Sequence, residues 1–158
     1  MAKKFVSIDP YKIQFDTDMY DVRQENDNTV TAIAKGLPSH KAIISIRKKD
    51  PISPLSTDAD DILRDTKIMA IRTTPNLPSL SMSARPSRVV IDGHDGFYVW
   101  IDFFEGNPKK VASAERVFCL LGDGYVLNIL STYQVDDNTG RSELVADLIN
   151  TVHIKKSA

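Results

Sequence analysis

The sequence has one cysteine in 158 residues, so it cannot form a disulfide bond within itself. A chain of this length buries roughly two-thirds of its unfolded surface, so one hydrophobic core is sufficient without a disulfide or a metal. Hydrophobic residues make up 42% of the chain and charged residues 26%, which is the balance of an ordinary folded domain. We therefore expect one domain over residues 1–158 and no cofactor.

Long apolar runs are also missing. The longest, such as Phe97–Ile101 and Val117–Leu121, are far shorter than the roughly twenty residues that a membrane-spanning helix needs, so no membrane span is predicted. No apolar stretch follows Lys3 and Lys4, so the sequence as written predicts a cytoplasmic protein without a signal peptide. The alternative is a periplasmic or surface lipoprotein domain whose export signal has been removed.

No charge of one sign dominates, because 20 lysines and arginines stand against 21 aspartates and glutamates and leave a net charge of -1. Such a chain has no overall field that would attract nucleic acid or an anionic membrane. We therefore predict no nucleic-acid partner. Local basic patches remain possible, so electrostatic recognition has to come from clusters of residues.

The sequence lacks the motifs of the common enzyme classes. It has no G-x-S-x-G, no phosphate-binding P-loop and no G-x-G-x-x-G. His40, His94 and His153 show none of the spacings of metal ligands, so no metal site is predicted. Cys119 lies among apolar residues, where a buried thiol is expected rather than a nucleophile. No catalytic residue is assigned.

What the sequence does contain is strand signal. Alternation of apolar and polar residues, or enrichment in β-branched and aromatic residues, predicts the strands, while the polar stretch 16–28 is expected to be a solvated connection. The predicted strands are Lys4–Ile8, Tyr11–Phe15, Val30–Ala34, Lys41–Arg47, Arg88–Ile91, Gly96–Phe104, Ser113–Leu121 and Tyr125–Tyr133, with a short extended Val152–Ile154.

Two segments have helical periodicity instead. The first is capped by Ser56 or Thr57 and places an apolar stripe from Ala59 to Ala70 on one face. The second runs from Leu144 to Val152 with its own apolar stripe. Each helix is therefore expected to bury one face against a sheet.

Strand Gly96–Phe104 is apolar or aromatic on both of its faces. A sheet with one face in water would alternate between apolar and polar residues, so this strand requires cover on both sides. The sequence therefore predicts an α+β fold, in which an antiparallel sheet of about six to seven strands is flanked by two helices as an α-β-α sandwich.

Three segments carry a resemblance to a known family. They are the opening Tyr11–Phe15, the turn Ile91–Phe97 that leads into a long strand, and the Leu144–Ile154 helix with its short strand. In these and in its order of elements, the chain resembles the PsbP-like superfamily, which includes Ran-binding Mog-type proteins and bacterial lipoprotein domains. The resemblance implies an α-β-α sandwich that binds a protein partner, and it transfers no catalytic residue.

The best candidate for a binding site is the proline-, serine- and threonine-rich stretch Thr73–Ser87. We predict that Arg72, Leu80, Arg85 and Arg88, in or beside it, contact a protein partner. Arginines with apolar anchors are typical of interface centres, so this partner would have an acidic, partly apolar surface. The alternative is a solvated loop whose leucines pack back onto the sheet.

The predicted function is therefore a non-enzymatic protein-binding module. The alternative is a small hydrolase or metal-assisted enzyme that uses Asp92, His94 and Asp95, since carboxylates and an imidazole can share a metal or a proton. The same residues also suit a tight turn, for which Gly93 and Gly96 would supply unusual backbone angles. We prefer the turn interpretation, because these residue types are generic in turns.

Overall fold

The structure is a computed structural model, and it describes residues 3–36, 40–48, 80–82, 87–105, 110–135 and 143–156. Within these residues lie eleven strands, one short 3-10 turn (Gly122–Gly124) and one helix. The strands are β1 (Lys3–Ile8), β2 (Tyr11–Asp16), β3 (Tyr20–Asn26), β4 (Thr29–Ala34), β5 (Lys41–Lys48), β6 (Leu80–Met82), β7 (Ser87–Ile91), β8 (His94–Glu105), β9 (Lys110–Leu120), β10 (Tyr125–Gln134) and β11 (His153–Lys156). The helix is α1 (Leu144–Thr151).

Eight of these strands form a large antiparallel sheet. Its order is β3-β4-β5-β10-β9-β8-β6, and β7 also pairs with β8. Tight connections join neighbouring strands: Gly93 in the β7–β8 turn and Gly124 before β10 have φ angles of 83° and 79°, which glycine adopts without a steric penalty. These turns join β7 to β8 and β9 to β10, whereas β5 and β10 pair although they are far apart in the sequence.

The other three strands form a separate small sheet in the order β1-β2-β11. Strand β2 is its centre, with Ile13 opposite Val6 of β1 and Ile154 of β11. Strand β2 alternates between buried residues such as Tyr11 and half-buried ones such as Lys12, so one face of the small sheet is apolar. That face packs toward the large sheet.

The core lies between the large sheet on one side and the small sheet with α1 on the other. Helix α1 buries Leu144, Val145 and Leu148, as its apolar periodicity predicts. These side chains join one cluster with residues of both sheets, including Phe15 and Ile44, each at most 1% exposed. The two sheets therefore share a single hydrophobic core.

The predicted α-β-α sandwich with one sheet of about six to seven strands and two helices is wrong. The described residues form two antiparallel sheets and one eight-residue helix. The error has a physical source: the opening strand pair does not extend the main sheet but joins β11 and packs across the core from it. One face of the large sheet is thus covered by the three strands of the small sheet and by α1.

One predicted connection is a strand in the structure, and two other predicted segments lie wholly or mostly outside the described residues. The polar stretch 16–28 was expected to be a solvated connection, but it contains strand β3, most of whose residues are exposed. An edge strand with little burial carries no alternation signal, which is why it is not recognised. The predicted first helix, from Ser56 or Thr57 to Ala70, lies outside the described residues, as does most of the predicted loop Thr73–Ser87.

In the ranges that the structure describes, no helix is long and apolar enough to cross a membrane.

Candidate functional site

The strand register gives the large sheet two chemically different faces. On the inner face, Ile44, Ile129 and Val117 lie opposite one another across β5, β10 and β9, and all three are buried in the core. One residue along each strand, the register aligns Ile43, Leu130 and Arg116 on the opposite face. We call this second face, which turns away from α1 and the small sheet, the outer face.

The outer face contains a groove of about 230 Å³ over β5, β10 and β9. Its floor is aliphatic, and Ile43 is 48% exposed. Its polar groups include Arg116, whose Nη2 donates to Asn128 Oδ1 at 3.5 Å. We call this the outer groove, and its lining residues are Ile43, Ser45, Arg47, Arg116, Asn128 and Leu130.

Part of the outer face is not accessible to solvent, because Val99 of β8 and Ala114 of β9 are buried there. Exposed residues of the outer face lie on both sides of this covered part, with Ile43 and Arg47 on β5 and Val90 on β7. Arg47 makes no hydrogen bond or ion pair with a residue that the structure describes.

The outer face is basic. Among the residues whose side chains the structure describes, the register places five basic residues on it, and two acidic ones, Asp21 and Asp95. Asp21 is already engaged, since its Oδ1 lies 3.9 Å from Lys35 Nζ. The positive charge is therefore local to this face, in a chain whose net charge is -1. The five basic residues are Arg23, Lys41, Arg47, Arg88 and Arg116.

A second polar feature lies on the inner face. Glu115 and Tyr133 are buried there, and the Tyr133 hydroxyl donates to Glu115 Oε1 at 2.5 Å. The His40 ring lies 5.3 Å from the Tyr133 ring, and Ser131 Oγ donates to the Lys41 carbonyl at 2.8 Å. A buried carboxylate costs much free energy unless it is hydrogen-bonded, so the Tyr133 hydroxyl stabilises this arrangement.

This buried polar cluster is closed to solvent. Of its members, Glu115 is the most exposed, at 7%. Substrate cannot reach such side chains without opening the core, so the cluster fits a structural role that positions strands β9 and β10. Sequence reasoning missed it. The available signal is that Ser113 and Glu115 share the face of Val117 and Cys119 on an otherwise apolar strand.

The predicted turn at Asp92 is confirmed and has a specific function in the fold. Asp92 has a φ of 48°, and its Oδ2 accepts a hydrogen bond from the Ile154 amide at 2.7 Å. Its Oδ1 lies 3.3 Å from His153 Nδ1. The Ile154 hydrogen bond is the main reason that the pKa of Asp92 is lowered. Asp92 therefore ties the β7–β8 turn of the large sheet to β11 of the small sheet.

The enzymatic alternative at Asp92, His94 and Asp95 is not supported by this geometry. His94 pairs with Ile91 and Asp95 with Val90, so the two side chains point to opposite faces of the sheet. Within the described ranges, no three His, Cys, Asp or Glu side chains are grouped as metal ligands would be.

Cys119 is buried, as the sequence predicts. Burial raises the pKa of its thiol to about 12, with a further contribution from the charge of Asp95. Because the thiolate is the reactive form, Cys119 is not a nucleophile at neutral pH.

The four predicted partner-binding residues are only partly placed. Arg72 and Arg85 lie outside the described residues. Leu80 is in β6, where its backbone pairs with Phe103 of β8. Arg88 is exposed in β7, opposite Phe97, and so belongs to the outer face. The described part of the chain thus places one of the four on the outer face, outside the outer groove.

No protein-family model and no curated protein matches the chain. Several solved structures, however, are similar to it. The chain is similar to the cyanobacterial PsbP (CyanoP) of Synechocystis sp. PCC 6803, with a TM-score of 0.60 and 10% identity, over 97% of this chain and 92% of that one. It is also similar to the Ran-binding protein Mog1p of Saccharomyces cerevisiae, with a TM-score of 0.59 and 8% identity, over 97% and 95% of the two chains.

A third similar structure comes from Bacteroides thetaiotaomicron, with a TM-score of 0.56 and 13% identity. It covers 98% of this chain, whereas this chain spans only 48% of that one, about half its length. At such low identities the likeness concerns the fold. The predicted resemblance is confirmed at that level: the chain has the fold that PsbP and Mog1p share.

Proposed function

We propose that this chain is a protein-binding module whose outer face receives an acidic, partly apolar partner. The observation that carries the proposal is the outer groove, where two arginines flank an exposed aliphatic floor. The fold is compatible with this role, since Mog1p is a Ran-binding protein.

The groove residues define which side chain fits. A guanidinium presents N–H donors in a planar fork that matches a carboxylate, and Arg47 is exposed at the groove for such a contact. Ile43 and Leu130 offer apolar surface beside it. A glutamate or aspartate next to an apolar residue satisfies both parts of the groove.

The size of the groove favours a protein partner over a small molecule. At about 230 Å³, it is smaller than the roughly 300–1,000 Å³ of pockets that enclose a drug-sized ligand. A partner's side chain needs less room and gains further contact from the surrounding face. Isolated exposed residues such as Ile43 then act as anchors within a larger polar interface.

The chemistry of the outer groove also favours a protein partner over nucleic acid. Proteins that bind single strands use aromatic side chains on which bases stack. The outer groove is lined by aliphatic and polar residues, and Ile43 and Leu130 form its apolar part. A net charge of -1 on the chain gives no long-range attraction to a polyanion.

The sequence predicted a partner of the same chemistry, with Arg72, Leu80, Arg85 and Arg88 as contacts. Of these, Arg88 lies on the outer face. Contacts from all four residues remain predictions.

The test is an NMR titration of the isotope-labelled chain with a short peptide rich in glutamate and leucine. We expect amide shifts at Ile43, Arg47 and Leu130, and an affinity reduced about tenfold by Arg47→Gln, because a charge-assisted hydrogen bond is lost. Lys48→Gln is the matched control, since it removes one exposed basic residue from the same strand.

The proposal is wrong if the same peptide with glutamine in place of glutamate binds equally well. It is also wrong if Lys48→Gln weakens binding as much as Arg47→Gln.

A further inference from the structure

The small sheet is the most basic part of the described chain. Its three strands contain five lysines and a single acidic residue, Asp16, which is buried and accepts the Asp18 amide at 2.9 Å. This concentration contrasts with the net charge of -1 for the whole chain. The five lysines are Lys3, Lys4, Lys12, Lys155 and Lys156.

An exposed aromatic residue lies among these lysines. Phe5 of β1 is 42% exposed, and Lys155 Nζ of β11 lies 4.5 Å from the centroid of its ring. The register aligns Phe5 with Gln14 and places Lys12 beside Lys155, so these side chains share the face that turns away from the core. We call this the small-sheet face.

We propose that the small-sheet face docks against an anionic lipid bilayer. Interfacial binding combines an apolar anchor with attraction between basic side chains and anionic headgroups, and this face supplies both. Phe5 would enter the boundary between headgroups and acyl chains, while Lys12 and Lys155 stay at the level of the phosphates. Long lysine side chains reach such positions readily, because their stems pack on apolar surface.

The lysine composition favours a lipid surface over an acidic protein. A lysine ammonium is a compact charge without the fixed fork of arginine, so it suits a mobile array of phosphates rather than one carboxylate of defined orientation. A bilayer also meets the outward face of a sheet without requiring a groove.

The small-sheet face and the outer face point in opposite directions. The small sheet packs on the inner side of the large sheet through the shared core, so each of the two faces lies on the far side of its own sheet. A lipid surface on one side therefore leaves the outer groove accessible. The proposal does not depend on the function of the outer groove.

The experiment is co-sedimentation of the full chain with phosphatidylcholine vesicles, with and without about one-third phosphatidylserine. We expect binding only to the anionic vesicles, weakened about fivefold by Lys12→Gln and again by Lys155→Gln, since each lysine contributes separately. Phe5→Ala should weaken binding, whereas Phe5→Leu should restore most of it. Lys48→Gln on the large sheet is the matched control and should leave binding unchanged.

The circular dichroism spectrum checks that each variant is folded, which we expect because Phe5 and Lys155 are exposed. Equal binding to both kinds of vesicle, or no binding to either, overturns the proposal. An equal loss in Lys48→Gln and Lys12→Gln overturns it as well, because the attraction would then be a property of the whole chain.

Discussion

The two basic faces of this molecule achieve their charge with different residues. On the outer face, four of the five basic residues are arginines, and two of them, Arg47 and Arg116, line the outer groove. On the small-sheet face the register places three basic residues beside the exposed Phe5, and all three are lysines, namely Lys3, Lys12 and Lys155. Arginine and lysine are not interchangeable, because only arginine offers a rigid fork of donors. A similar charge can therefore serve the recognition of one carboxylate or the attraction to a diffuse anionic surface.

The first prediction tests whether the two faces depend on one core. Gly96 of β8 lies opposite Cys119, and a Cβ added there would be 2.5 Å from the carbonyl oxygen of Phe118. Gly96→Ala should therefore lower the free energy of unfolding by about 3 kcal/mol, in the upper part of the range for overpacking. Urea denaturation measures this loss.

A single transition, with peptide and vesicle binding lost together, is expected for Gly96→Ala because both sheets share the core. Separate transitions would show that the two faces belong to independent units. Gly93→Ala is a useful comparison: it has open space around it but a φ of 83°, so its cost would come from backbone strain alone.

The second prediction concerns the tie between the sheets. Asp92→Ala removes the acceptor of the Ile154 amide and should cost about 1–2 kcal/mol of stability. Asp92→Asn should cost less, because asparagine keeps an acceptor and tolerates positive φ. Vesicle binding should persist in both variants at neutral pH, because Phe5 and the lysines of the small-sheet face are unchanged.

The contribution of Asp92 also has a predicted pH dependence. Its pKa is lowered in the folded chain, so its stabilisation is present above the ordinary value of 3.8 and is lost as the pH falls through the lower folded value. The difference in unfolding free energy between the native chain and Asp92→Asn should therefore shrink in acid. A difference that grows below about pH 4 would contradict the assigned hydrogen bond.

Much of the local structure could be predicted because it depends on neighbouring residues. The alternation in Tyr11–Asp16 marks β2, and the apolar stripe of Leu144–Thr151 marks α1. Gly93 is confirmed as a turn glycine. Gly96 was predicted to be one too, but the structure requires it for the close approach of Phe118. The sequence alone does not show whether a glycine next to a turn is required for its positive φ or for the close approach of another strand.

The candidate site could not be predicted because it is assembled from distant segments. Arg47 and Leu130 meet only because β5 pairs with β10, and Arg116 joins them through β9. None of these residues has a local pattern that marks it. The two-sheet division is equally hidden, since it depends on Ile154 pairing with Ile13 from the other end of the chain.

The most direct measurement exchanges the two basic residue types between the faces. Arg47→Lys keeps the charge of the outer groove but removes the fork, so it should weaken the glutamate- and leucine-rich peptide about fivefold or more. Lys12→Arg should leave binding to anionic vesicles within about twofold, because a diffuse surface responds to charge alone. Equal affinity of Arg47→Lys and the native chain for the peptide would contradict the account of the outer groove.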